Sequence, residues 1–252
     1  MNLILLWLIV EDILGNSLFL KRGILTGIAS AIKLTPLIFI FSFVIGNKIR
    51  TAVMASLAFV ICGLIGIIIV RDDSFLFWSN LIFDPKRVGG VAYATNQSVN
   101  GLLWRLLGEG GSLYIWAIIG VLNGAICTLI SRSLIQKDDK LGFLSFTALA
   151  MLLISPISWS HHWVWALPML FWLYKEAAKN KAFYIFLLSG ITIFCSYIFD
   201  QVPKGNDLEY GVSFTTKLIT DSYVIWAELL ILFKATILFR REIFFKLSYG
   251  EK

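Results

Sequence analysis

Ser155-Pro156-Ile157-Ser158-Trp159-Ser160-His161-His162-Trp163 stands between two apolar runs, residues 143–154 and 163–174, and contains both histidines of the chain. Basic residues flank the pair of runs on both sides, at 137–140 and at 175–181. Cationic flanks mark the cytoplasmic ends of membrane helices, so the stretch between them must cross twice, as a tight hairpin. Its tip at 155–162, with His161 and His162, then lies near the outer face. Polar groups at membrane depth are tolerated only where they line a cavity or meet protein partners, which makes them candidates for function. The plain alternative is an exposed loop with two ordinary histidines.

Composition says the same of the whole chain. Of 252 residues 58% are hydrophobic, 15% aromatic and 15% charged, with a mean hydropathy of +0.80. A soluble domain carries about 25% charged residues and cannot hide this much apolar surface. The chain reads as an all-α, polytopic integral membrane protein. Its net charge of +6 is no sign of nucleic acid, because the basic residues collect in short clusters beside apolar runs and form no continuous stripe. Such clusters, at 21–22, 48–50, 132–140, 175–181 and from 240 onward, suit anchors that meet membrane lipids with anionic headgroups. Cys62, Cys127 and Cys195 stand alone in apolar segments, without metal-binding or disulfide spacing. The first ten residues lack a basic region, and Glu11-Asp12 follow them, so no signal peptide is read there.

A membrane helix needs about 20 mostly apolar residues. Residues 51–70 and 112–130 are clean spans, and 182–199 and 222–239 follow as further crossings. Residues 1–14 are short. Residues 23–45 are long enough, but Lys33 and Pro36 interrupt them. Basic residues at both ends of that segment require an even number of crossings, so a re-entrant pair turning near Thr35-Pro36 is expected. The chain reads as a single transmembrane domain over 1–252, with external loops at about 71–111 and 200–221. Asp72, Asp73, Asp84, Asp200, Asp207 and Glu209 then fall outside. Gly89-Gly90 and Gly110-Gly111 mark turns in the first of these loops.

Three constellations carry the chemistry. In Gly27-Ile28-Ala29-Ser30-Ala31-Ile32-Lys33-Leu34-Thr35-Pro36, small residues allow close helix approach, and the Lys33 ammonium wants an anion such as a phosphate. Alternatively the helix breaks at Pro36 and Lys33 reaches the interface. In Asn96-Gln97-Ser98-Val99-Asn100-Gly101 with Trp104-Arg105, side-chain amides suit a hydroxyl-rich ligand such as a sugar. There Arg105 suits a phosphate, and Trp104 or Tyr93 suits a sugar face; turn and cap chemistry is the alternative. In the third, at 155–163, His161 or His162 suits acid–base work or a hydrogen bond to phosphate, and no third ligand stands near for a metal. Asp72-Asp73 form a possible carboxylate pair, though beside Arg71 they read more readily as a solvated cap.

These three signatures, in this order, resemble glycosyltransferase family 87, a group of GT-C-fold membrane enzymes that includes polyprenyl-phosphate-mannose-dependent alpha-1,2-mannosyltransferases. The likeness runs from about Met1 to Trp172. It implies the C-terminal portion of a GT-C-type helical bundle with about 7–8 membrane helices, some short or broken. It also implies hexosyl, specifically mannosyl, transfer from a polyprenyl-phosphate sugar donor to a glycan or lipid acceptor. The active face would be extracytoplasmic, on the cell inner (plasma) membrane, with no metal or other cofactor. His161 and His162 would be catalytic. Lys33, Asn96, Gln97, Asn100, Arg105, Ser155, Ser158 and Trp159 would bind substrate. Members of the family place an acidic base in an early external loop that this sequence does not match, so the resemblance implies a gene fragment, a mis-called start, or half of a split enzyme with a separately encoded N-terminal half, and a chain inactive on its own. A transporter or flippase-like component is the rival reading, and it predicts paired repeats that the sequence does not show.

Overall fold

The computed structural model describes residues 1–16, 20–83, 89–108, 113–205 and 208–249, with side chains considered up to residue 240. The described residues are helical and carry no strand; a lone backbone bridge joins Asn96 to Trp159. Asp84, Gly110, Gly111 and Asp207, which the sequence analysis placed in external loops, lie outside the described residues. Among the described residues, three helices are long and apolar enough to cross a membrane: α4 (Ile49–Ile69), α7 (Leu113–Gln136) and the part of α13 (Ser222–Tyr249) that runs to Arg240. At 1.5 Å per residue, the 21 residues of α4 reach about 30 Å, the thickness of a bilayer core. With α8 (Lys140–Ile154), α9 (Ala166–Ala177) and the shorter apolar α10 (Ala182–Ser196), they make a polytopic membrane bundle.

The hairpin read from the sequence is present. Its base is closed by Asp139, which caps α8 at the Gly142 N–H (3.2 Å) and also accepts from Trp172 Nε1 (2.9 Å) and Lys175 Nζ (3.2 Å). Trp172 is completely buried and meets Phe146 and Phe183 edge-on, at 5.1 and 5.5 Å between ring centroids. α8 and α9 therefore run antiparallel, with the histidines at the end away from Lys140 and Lys175.

Residues 23–45 form two helices, α2 (Ile24–Ile32) and α3 (Leu37–Ile45), broken at 33–36. Along α2, Gly23 faces Thr51 and Ala55, and Gly27 faces Ala55 and Ala58, so α2 runs alongside α4 in the same direction. α3 enters α4 through a turn at Asn47, whose φ is 59°, and runs the opposite way. The pair is a hairpin whose tip carries Lys33. Its root is fastened by Asp12 of α1 (Asn2–Leu14), whose carboxylate accepts from the Gly23 and Thr26 N–H groups at 2.8 and 3.0 Å. That arrangement satisfies N–H groups that a helix start leaves open.

Gly27 fits where no larger residue can. A Cβ there would lie 2.2 Å from the Ala55 carbonyl oxygen and 2.7 Å from the Ala58 methyl. Overpacking of this kind costs about 1–3 kcal/mol, and close helix approach in membranes depends on small residues. Gly27→Val is therefore expected to lower the apparent melting temperature of the detergent-solubilised protein. An unchanged melting temperature would mean that α2 does not rest on α4.

The two long loops are more structured than composition suggested. The first holds α5 (Arg71–Ser79) and α6 (Val99–Leu107); the second holds α11 (Leu208–Gly211) and α12 (Phe214–Thr220). Helices of 4 to 9 residues are too short for a helical period to be read from the sequence.

Candidate functional site

The histidine turn begins where Pro156 follows the last residues of α8. Ser158 Oγ donates to the Leu152 carbonyl (2.6 Å), one of those freed at the helix end, and Ser155 Oγ donates to Ile157 (2.9 Å). Residues 160–165 then form a tight 3₁₀ stretch that leads straight into α9. Ser155 and Ser158 thus shape the turn with their own hydroxyls.

The second motif clamps this turn from outside. Gln97 N–H donates to Ser158 O and Ser160 N–H to Thr95 O, both at 2.8 Å. Asn96, completely buried, accepts from Ser158 N–H (2.9 Å) and donates to Val91 O (2.8 Å). Asn100 and Ser98 both donate to the Pro156 carbonyl (3.2 Å), and Trp163 Nε1 donates to Gln97 O (3.0 Å). Ser98 also caps α6 at the Gly101 N–H (3.1 Å). Gly101 is required beside it, because a Cβ there would fall 2.5 Å from Asn96 O. Almost every buried polar atom here has a partner, as a dry interior demands.

Arg105 continues the clamp. It is 1% exposed, and its partner Asp221 is 2% exposed. Nε donates to both Asp221 oxygens (3.1 and 3.3 Å) and Nη2 also meets Asp221. Nη1 donates to Ala92 O and Tyr93 O, and Nη2 to Asn96 O (2.9 Å). The whole guanidinium fork, considered above for a phosphate, is engaged inside the protein. Gln97 does likewise, donating to Ala94 O and Thr220 O and accepting from Tyr223 N–H.

The first motif meets the third. Lys33 Nζ lies 3.0 Å from His162 Nε2, across 129 residues of sequence. Lysine is the donor in this pair, so Nε2 accepts and the ring proton stands on Nδ1. Asn2 Nδ2 donates to the His161 carbonyl (3.0 Å) and steadies the turn from α1. Between them lies a cleft lined by Lys33, Thr35, Ser158, His162 and Trp165, with about 10 Å³ of free volume, room for one water-sized group. Both groups sit in turns outside the spanning helices. Burial, then Lys33 and His161, pushes the His162 imidazole down to about 3, and burial draws the Lys33 ammonium down to about 8. His161, more exposed, is lowered by burial and Lys33. Near neutral pH the pair is an ammonium held against a neutral imidazole.

Trp159 is half-buried, with its ring edge-on to Tyr93 at 6.3 Å between centroids. Asp72 and Asp73 occupy the exposed first turn of α5, where negative charge suits a helix start. Sequence reasoning missed Asn2, Asp12, Thr220 and Asp221. Asp12 and Asp221 left one faint signal, a carboxylate at the edge of an apolar run.

Spanning helices, a broken helical pair and an internal polar turn define a polytopic helical membrane protein with a cation–imidazole site. The chain belongs to glycosyltransferase family 87, whose family model matches residues 1–156. That match contains Lys33 and the Asn96–Arg105 motif and ends just before the histidines. Among characterised relatives is the polyprenol-phosphate-mannose-dependent alpha-(1-2)-phosphatidylinositol mannoside mannosyltransferase of Mycobacterium tuberculosis, 29% identical over 229 residues, 90% of this chain and 53% of that protein. Its namesake in Mycolicibacterium smegmatis is 29% identical over 236 residues, again 90% of this chain and 53% of that protein. The corresponding pentamannoside mannosyltransferase of M. smegmatis is 34% identical over 154 residues, 60% of this chain and 37% of that protein. This chain therefore spans about half the length, or less, of these relatives. No solved structure matches it significantly.

Proposed function

We propose that this chain carries the leaving-group side of a membrane mannosyltransferase. The enzyme moves a mannosyl group from a polyprenyl-phosphate donor to a glycan or lipid acceptor, at the outer face of the cytoplasmic membrane. Phosphatidylinositol mannosides serve the relatives, by their names, and point to a glycolipid acceptor. The observation that supports this reading best is the Lys33–His162 pair at 3.0 Å. In the transfer the bond from the anomeric carbon to the phosphate oxygen breaks, the acceptor oxygen takes the carbon while its proton passes to a general base, and polyprenyl phosphate departs with new negative charge. A preorganised ammonium stabilises that charge as it develops. His162 holds the ammonium in place through Nε2 and offers its Nδ1–H. His161 is the neighbouring acid–base candidate.

In this proposal Asn96, Gln97, Asn100, Arg105, Ser155 and Ser158 act by holding the turn, and Trp159 with Tyr93 offers a face to the sugar. The GT-C architecture and the outer location belong to the same reading. It is tested by supplying synthetic polyprenyl-phosphate-mannose to membranes that contain this chain together with the N-terminal region of the enzyme, and following mannosylated lipid. Transport of the donor with no sugar transfer would support the flippase-like rival instead.

The pH profile gives a second test. Lys33 is charged below about 8 and neutral above it. Transfer is expected to fall as pH rises through that value. His162, with a value of about 3, stays neutral over the whole working range and adds no limb of its own. Lys33→Arg should move the alkaline fall upward, because guanidinium stays charged. A fall that persists unshifted in this variant would assign it to another group.

A further inference from the structure

Past one end of a membrane span, a short helix carries an apolar face that the fold does not cover. α12 runs into α13 with a single residue between them, Asp221, whose backbone leaves the helical region at φ −91° and ψ 18°. Helical bonds nevertheless carry across the break: Asp221 N–H donates to Lys217 O and Ile225 N–H to Asp221 O, both at 2.9 Å. Between them the Gln97 side chain enters the ladder, donating to Thr220 O (2.6 Å) and accepting from Tyr223 N–H (3.3 Å). A side chain inserted in this way bends a helix.

The span of α13 already fills the hydrocarbon. Its 19 residues, Ser222–Arg240, reach about 28 Å, close to the thickness of a bilayer core. α12 therefore lies beyond the core, at the end opposite Arg240. There Phe214, Leu218 and Ile219 are 66%, 44% and 42% exposed, and they fall within one arc of the helix. Thr216 and Thr220 occupy the opposite side, half-buried and buried. Leu218 also heads a stripe that continues at helical spacing through Ser222 and Ile225 to the exposed Leu229 and Leu232 on α13. At the same end of α10 stands Tyr197, exposed as well, beside the turn at Ile198–Gln201 on which α12 packs. Tyrosine suits the membrane–water boundary.

We infer that α12 is an interfacial helix, and that its Phe214–Leu218–Ile219 face docks on membrane lipid at the rim of the α13 span. Apolar side chains at that level either sink into the boundary between headgroups and acyl chains or stand in water. The first is favoured by the apolar area it removes from water, and the stripe on α13 makes the lipid contact continuous. Gln97 N–H also donates to Ser158 O, so the helix that rests on lipid is one residue away from the histidine turn.

The test is site-directed spin labelling of the full chain in phosphatidylcholine liposomes. Cys62→Ala and Cys195→Ala remove the accessible thiols, while Cys127 is completely buried and stays. Single cysteines are then placed as Phe214→Cys, Leu218→Cys and Gly211→Cys. Collision with oxygen, which concentrates in hydrocarbon, and with a water-soluble nickel chelate gives the depth of each label. The labels at 214 and 218 are expected about 5–10 Å below the headgroup boundary. The label at 211, where a side chain meets open space, is expected in water. Labels at 214 and 218 that meet nickel as freely as the one at 211 would overturn the docking. Labels shielded from both reagents would overturn it too, because protein would then cover the face, and spin–spin broadening would identify that protein as a second copy of the chain.

Discussion

On the proposed function, Lys33→Met or His162→Ala is expected to reduce mannosyl transfer by the whole enzyme that contains this chain by about 10²–10³-fold, the usual effect of removing one preorganised donor from a developing anion. Lys33→Met keeps the length and apolar body of the side chain and deletes only the ammonium. His162→Ala deletes the acceptor that holds this ammonium at 3.0 Å. Neither side chain is fully buried, so the apparent melting temperature should change little, and that separates a chemical effect from a folding one. The two losses should also overlap when combined, because both act through one contact. His161→Ala is expected to cost less, since its ring is exposed and makes no such bond with Lys33. Wild-type turnover in the protein carrying His161→Ala and His162→Ala together would remove the turn from the chemistry.

The second large effect is expected at Arg105 and Asp221, and there it should appear first in stability. Removing one member of a buried ion pair leaves the other charged and unsolvated, at about 3–5 kcal/mol. Arg105→Met should therefore destabilise the solubilised protein severely and cost transfer as a consequence, since the carbonyls of Ala92, Tyr93 and Asn96 lose their donor as well. Arg105→Lys should rescue little, because an ammonium cannot replace a planar fork with five donors. Asp221→Leu should also be harmful alone. In Arg105→Met the added change Asp221→Leu should cost less than it does in the native protein, because no stranded charge remains. Thermal unfolding followed by size-exclusion chromatography measures each of these. Additive losses would show that the two residues do not act as a pair.

The hairpin of residues 143–174, the break at Lys33 and Pro36, and the long spans were legible because hydropathy, helix-breaking residues and flanking charge are properties of neighbouring residues. The three polar motifs were legible for a related reason: polar groups stand out in an apolar chain. Their duties were not. Arg105 and Gln97 looked like ligands for a substrate, and the structure engages them with Asp221 and Thr220, which lie 116 and 123 positions away. Lys33 looked like a cation in need of an anion, and the structure sets it on His162.

The sequence by itself determined that this is a helical membrane protein with polar turns at three places, because transfer of each segment out of water depends on its own composition. Only the tertiary structure decided which polar side chains answer one another and which are left facing a cleft. A buried donor takes the acceptor nearest in space, and spacing along the chain does not say which one that is.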